Sequence, residues 1–251
     1  MQITFVFYNL NTVVALWQYE FLQGFNHAAR SGLSSIFGTL HMAASVNPMP
    51  RPTLTSGYWH TDELLNLGFK AVGKDVSVSR DCCIVGQQNI SLGDHVRIDA
   101  MTLLSAGSGY IDIGSYVHIA SFCSLGGAGG ITLEDFSGLS QGVRVYSASD
   151  DYSGKSLTNP CVPSRYKAVA VAPVRLERHV IVGSNSVILP GVTIGEGASV
   201  GALSLVSRSL EPWYVYFGTP ARRLKPRCRD LLALEAALRQ EEGKPAPSRP
   251  D

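Results

Sequence analysis

Branched apolar residues stand at Leu176, Val182, Ile188, Ile194, Val200 and Val206, one every sixth position. A helix repeats near 3.6 and a strand near 2, so a fixed step of six fits neither alone. Extending the pattern towards the N-terminus gives eighteen aliphatic positions in six triplets: 72, 78, 84; 92, 98, 104; 113, 119, 125; 133, 139, 145; 176, 182, 188; and 194, 200, 206. Within each triplet the step is six. Between triplets it is 8 from Ile84 to Leu92, 9 from Leu104 to Ile113, 8 from Leu125 to Leu133, 31 from Val145 to Leu176 and 6 from Ile188 to Ile194. Every irregularity falls after a third member. Three short extended segments therefore make one coil, and all insertions leave at the same corner.

That pattern predicts an all-β solenoid of triangular section, about six coils long, from Val72 to about residue 210. The aliphatic at position i points into the prism. The residue at i+4 also faces inward, near a corner where small or β-branched side chains fit. Glycine at i+1 is assigned the bend conformations that other residues avoid. Stacked coils pair their strands in parallel, each burying the inner layer of the next. An antiparallel barrel or sandwich would alternate with period two and irregular turns, and it does not account for eighteen positions in one register.

The domain plan follows: residues 1–70 as a helical or irregular N-terminal region, 71–211 as the solenoid with an extruded loop at 146–175, 212–242 as a closing segment with a short helix, and 243–251 as a disordered tail. Within the first region "TDELLNLGF" reads as a short helix capped by Thr61. In the third, Leu231, Leu234 and Leu238 share one helical face. The apolar start "MQITFVFYNLNTVVALWQYEF" is interrupted by Asn9, Asn11, Gln18 and Glu20, so it reads as packing surface rather than a membrane span.

Composition narrows the function. With 251 residues and 45% hydrophobic content the chain buries a core, and a net charge of +1 without a basic run argues against nucleic-acid binding. The five cysteines include no CxxC pair, which points to a reducing cytoplasm rather than a disulfide framework or a zinc site. Cys82 and Cys123 fall at i+4 and read as packing.

At "VILPGVTIGEGASVGALSLVSRSLEPWYVYFGTPARRLKPR" the sequence resembles the hexapeptide-repeat acyltransferases, in particular the sugar acetyltransferase branch that includes the galactoside and maltose O-acetyltransferases. The resemblance covers Val72 to about Arg227. It implies a left-handed β-helix, a homotrimer with active sites between neighbouring prisms, and acetyl-CoA as co-substrate without a metal. "SASDDYSGKSLTNP" is similar to a loop found among surface-polysaccharide enzymes, which implies a sugar or nucleotide-sugar acceptor.

The same resemblance assigns residues. In galactoside-type enzymes a histidine serves as general base where the chain leaves the prism. Here that place in "LSQGVRVYSASDD" is held by Asp150, followed by Asp151. Either carboxylate is a candidate base, proton relay or acceptor ligand. His118, at an outward corner of the third coil, is the other catalytic candidate. Cofactor contacts are expected at Ser184, Gly201, Ala202 and Ser207, and the 3′-phosphate of CoA at a basic cluster of Arg222, Arg223, Lys225 and Arg227, with Arg222 and Lys225 as the principal pair. Tyr146, Tyr152 and Asn159 of the extruded loop are the acceptor-binding candidates.

Three functions follow. The main expectation is O-acetylation of a sugar in surface-polysaccharide (lipopolysaccharide O-antigen) synthesis. The alternative is N-acetylation of a nucleotide-linked amino sugar, favoured by the missing histidine because a partly neutral amine needs little help from a base. A non-catalytic scaffold is a third, and it leaves "GTPAR" and the basic cluster without a purpose.

Overall fold

The computed structural model describes residues 56–243. The apolar N-terminal stretch and the C-terminal tail discussed above lie outside the described residues.

Each triplet forms one coil, and the three strands of a coil belong to three different sheets. The first face stacks the opening strands of each coil, the second face the middle strands and the third face the closing strands. The register is that of the sequence repeat. On the first face Val72, Leu92, Ile113, Leu133, Leu176 and Ile194 are successive partners. On the second, Val78, Ile98, Ile119, Leu139, Val182 and Val200 align. On the third, Ile84, Leu104, Leu125, Val145, Ile188 and Val206 align. Sixteen of these eighteen side chains are buried, and Val72 and Ile84, in the terminal coil, are half-buried. Burying a side chain of this kind contributes about 1.5–3 kcal/mol, so the column is the main source of stability.

A partial seventh coil follows the six. Leu210 bridges to Ile194, and the strand Tyr214–Phe217 pairs in parallel with Ser199–Val200. Both edges of the second face are closed by antiparallel strands: Tyr58–His60 at one end and Arg222–Pro226 at the other. This covers the unpaired backbone that would otherwise template association.

The i+4 residues face inward. Val76, Val96, Val117, Val143, Val180 and Val192 are buried, and three polar ones bond carbonyls: Thr102 donates to Ala120 O at 3.1 Å, Cys123 to Ser140 O at 3.2 Å and Ser186 to Gly201 O at 3.0 Å, whereas the buried Ser137 hydroxyl has no partner among the described residues. Burial pushes the Cys123 thiol up to about 11, as a packing cysteine requires. All five cysteines are free.

Glycine at i+1 has a different cause from the one the sequence suggested. Gly73, Gly93 and Gly114 are absent from the positive-φ positions, yet a Cβ on Gly93 would lie 2.6 Å from Gly114 C. Coils stack about 4.8 Å apart, and the backbone of the next coil occupies that space. The left-handed bend sits at i+3, on Asp75, His95, Tyr116, Phe136, His179 and Trp213, with φ between 53° and 63°. For L-residues this costs about 1–2 kcal/mol each. Stacking offsets part of it: the His95–Tyr116, Tyr116–Phe136 and Phe136–His179 ring centroids are 4.7, 4.6 and 5.2 Å apart, so the corner carries an aromatic ladder.

Two short helices complete the unit. Helix α1 spans Thr61–Leu64, where the cap differs from expectation. His60 precedes the helix and donates its N–H to Glu63 Oε2, while Thr61 Oγ1 bonds Gly73 O and Val76 N, tying the helix to the first coil. Helix α2 spans Leu231–Glu241 and lies beside the aromatic corner. Its buried residue is Glu235, and Leu231, Leu234 and Leu238 line an open cavity of about 400 Å³ against the second face. Among the described residues no helix is long and apolar enough to cross a membrane.

Candidate active site

The extruded segment leaves after Tyr146 on the third face and returns at Val174 on the first. It is rooted by a two-stranded ribbon in which Ala148–Ser149 pairs with Ala170–Val171. Asp150 follows that ribbon. Its Oδ2 accepts the Asn159 N–H at 3.3 Å, the one hydrogen bond to its carboxylate among the described residues, while its carbonyl accepts from Ser149 Oγ at 3.2 Å. Asn159, at φ 70°, organises the loop: its Oδ1 accepts from Cys161 N and its carbonyl from Lys167 Nζ.

Asp151 differs in kind. It accepts from Ser153 N at 2.8 Å, Ser156 N at 3.0 Å and Ser156 Oγ at 3.1 Å. Those donors, Ser153 first, hold its carboxyl at about 2. A group that acidic is a poor proton acceptor at neutral pH, and its oxygens are already used in building the turn. Tyr152 beside it is 92% exposed, whereas Tyr146 lies on the prism, its ring against Gly126.

His118 stands on the outer side of the second face, across the prism from the loop's corner. Its Nε2 is 2.8 Å from Asp99 Oδ2, and Asp99 Oδ1 accepts Tyr58 OH at 2.9 Å and Arg97 Nε at 2.8 Å. Burial would raise the Asp99 carboxyl, but the bonds from Arg97, His118 and Tyr58 outweigh it and hold the group below its ordinary value. Position alone marked His118 in the sequence. Its partner is invisible there because Asp99 lies 19 residues away, one coil back, and is itself held by Tyr58 of the capping strand.

The expected cofactor residues gather at the C-terminal coils but on two corners. Ser184, Gly201 and Ala202 lie where the second face turns into the third, and Ser207 lies where the third turns into the first. Gly201 has no free backbone group: its N–H donates to Tyr216 O and its carbonyl accepts Ser186 and Ser204. Its lack of a side chain is required by the Phe217 ring, 2.4 Å from where a Cβ would be. Arg222 and Lys225 are exposed on the closing strand. Arg223 pairs with Glu211 at 2.9 Å. Arg227 does not belong to the cluster. It turns inward to donate to the carbonyls of His179 and Gly197 at 2.8 and 2.9 Å, and burial lowers its pKa.

Residues 173–208 match the family model "Bacterial transferase hexapeptide (six repeats)". The chain is 41% identical over 177 residues to the dTDP-4-amino-4,6-dideoxy-D-glucose acyltransferase of Escherichia coli, covering 92% of that protein and 70% of this chain. It is also similar to AntD, an N-acyltransferase from Bacillus cereus solved with dTDP and 3-hydroxybutyryl-CoA: 42% identity, TM-score 0.72, covering 75% of this chain and 99% of that one. AntD has been solved with substitutions at a serine and at an aspartate ten positions further on, in complexes with CoA and dTDP or dTDP-4-amino-4,6-dideoxyglucose. A chloramphenicol acetyltransferase of Klebsiella aerogenes is 32% identical over 113 residues, 52% of its length. The chain therefore belongs to the hexapeptide-repeat acyltransferases, and its coil is the left-handed β-helix of that family. Of the two relatives matched along nearly their whole length, one is a dTDP-4-amino-4,6-dideoxy-D-glucose acyltransferase and the other is an N-acyltransferase solved in complex with that nucleotide sugar.

Proposed function

We propose that the protein transfers an acyl group from acyl-CoA to the amino group of a dTDP-linked amino sugar. The expectation of sugar O-acetylation gives way to the N-acylation alternative. The observation that carries this is Asp150: a carboxylate with one oxygen tethered by Asn159 N–H and the other open, at the point where O-acetylating relatives place a histidine. A carboxylate attracts and orients an ammonium, whereas a sugar hydroxyl needs a stronger base. Support comes from spacing. Ser140 and Asp150 form the one serine–aspartate pair in this sequence ten positions apart, the separation of the two substituted residues in AntD. Ser140 escaped the sequence reading because one serine among many carries no signal.

Ser140 projects from the second face and Asp150 from the loop at the opposite corner. In a homotrimer the loop of one prism lies against the second face of its neighbour, bringing the two together and bringing Tyr152 to the acceptor. Coenzyme A lies along that junction, with Ser184 and Ala202 beside the pantetheine and Arg222 and Lys225 towards the 3′-phosphate. Ser184 and Ala202 suit this, being small and placed on an accessible corner. An acylated nucleotide sugar is a building block for glycan assembly, which keeps the cytoplasmic, surface-polysaccharide setting.

The test is thiol release from acetyl-CoA and 3-hydroxybutyryl-CoA with dTDP-4-amino-4,6-dideoxyglucose, a galactoside and maltose as acceptors. Turnover with the amino sugar is expected. Turnover confined to the plain sugars would restore O-acetylation.

A further inference from the structure

We propose that His118 accepts the proton shed by the acceptor amine, with Asp99 setting its tautomer and Gly138 leaving the room in which the amine approaches. This rests on the reading of an amino-sugar acceptor and adds a residue which that reading does not use.

Asp99 receives three donors, from Tyr58, Arg97 and His118. Arg97 and Tyr58 keep it a carboxylate, which only accepts. The hydrogen between Asp99 and His118 therefore belongs to His118 Nε2. The neutral ring then carries its lone pair on Nδ1, which has no partner among the described residues and lies on a half-exposed ring. The charged and titratable groups facing His118 from the neighbouring coil and the capping strand are Asp99, Arg97 and Tyr58.

The space beside His118 is unusual for this fold. Ile119 and Leu139 point inward, so His118, Gly138 and Ser140 all project from the outer side of the second face, and His118 is the register partner of Gly138. Unlike Gly93, Gly138 has no packing reason to be glycine. A Cβ there would meet only the His118 carbonyl at 3.8 Å, an ordinary contact, and its φ is not left-handed. Glycine weakens a strand and often marks the close approach of a ligand. Gly138 also lines the cavity under α2. A base with a set tautomer, a bare strand beside it and a concavity thus adjoin, two residues from Ser140.

The chemistry closes. The ammonium held by Asp150 first gives one proton to solvent, and the lone pair so freed forms the C–N bond to the thioester carbonyl carbon. The surplus N–H proton of the adduct passes to His118 Nδ1, and Asp99 stabilises the imidazolium. The C–S bond breaks, the thiolate takes that proton, and amide, thiol and neutral histidine remain.

The experiment measures kcat/KM against pH for the full chain and its His118→Gln and Gly138→Val variants, with acetyl-CoA and dTDP-4-amino-4,6-dideoxyglucose. ¹⁵N NMR of histidine-labelled wild type and Asp99→Asn reads the tautomer. His118→Gln is expected to lose about 10²-fold near pH 7, with the deficit shrinking at higher pH as solvent base takes the adduct proton in its place. Gly138→Val is expected to raise the acceptor KM more than it lowers kcat. The Nε2–H tautomer is expected in wild type and lost in Asp99→Asn. A His118→Gln enzyme within about threefold of wild type at every pH, or an Nδ1–H tautomer in wild type, overturns the proposal. A wild type that acylates no amine overturns the proposed function instead and takes this inference with it.

Discussion

His179 Nε2 stands 2.6 Å from Glu235 Oε2, joining the aromatic corner of the prism to helix α2 through two side chains that are 7% and 6% exposed. The same carboxylate binds Arg178 and Arg239. Burial lowers the His179 pKa, partly countered by Glu235. Burial would raise Glu235, but bonds from Arg239 and His179 and the charge of Arg178 leave it lowered.

Both shifts act in one direction. A histidine depressed in the fold contributes its full stability above its unfolded value, about 6.5, and loses it as pH falls below that. A depressed glutamate adds a further loss below about 4.3, as pH falls through its folded value. Thermal midpoints should therefore decline from pH 7 to 5.5, and His179→Gln should flatten that decline. Glu235→Ala removes the carboxylate shared by Arg178, His179 and Arg239, leaving Arg239 to Asp135 and Arg178 to the more distant Glu196, and should cost about 3 kcal/mol. Hydrogen exchange should detect this first as lost protection of the amides in α2.

Gly93→Ala should be far more damaging than Gly126→Ala. A Cβ on Gly93 meets the next coil's backbone at 2.6 Å, and one on Gly126 meets Tyr146 Cδ1 at 3.7 Å. A cost of about 4 kcal/mol against less than about 1 is expected from denaturant unfolding. Similar midpoints would contradict the steric account of the i+1 glycines.

Arg222→Ala with Lys225→Ala should raise the KM for acetyl-CoA and leave that for dephospho-CoA nearly unchanged, because the latter lacks the 3′-phosphate. Arg227→Ala should behave differently. It strips charged donors from the carbonyls of His179 and Gly197 and should lower stability by about 1.5–3 kcal/mol. Equal effects of the double variant on both cofactors would remove the basic pair from the phosphate site.

Asp150→Asn and Asp151→Asn should separate. Asp150→Asn removes the charge proposed to orient the ammonium and should lower kcat/KM for the amino sugar about 10²-fold, read by thiol release. Asp151→Asn alters a turn already held by backbone donors and should act mainly through the loop, as increased proteolysis between Tyr152 and Lys167. Unchanged kinetics of Asp150→Asn would remove it from the site.

The eighteen aliphatic positions were legible because facing inward once per strand is a property of residue type and spacing, and each of them stacks on its counterpart one coil away. The corner conformation was not. Tyr116 and Phe136 are bulky residues that sequence reasoning does not assign to a left-handed bend, and the stacking that accompanies it here is between coils and so unseen in the sequence. Arg227 read as a solvent-facing cation because its carbonyl partners lie 30 to 48 residues away. The loop's exit was visible as a 31-residue step, while the division of labour between Asp150 and Asp151 depends on which backbone amides close around each.

The register across the extruded segment has a consequence for how such enzymes diverge. Leu176 stacks on Leu133, and Ile188 on Val145, as if residues 147–173 were not there. The solenoid is indifferent to what is spliced in at that point. The part of the proposed acceptor site that the loop carries, Asp150 and Tyr152, is thus a cassette that can be exchanged at Tyr146 and Val174 without shifting a single rung of the coils on either side.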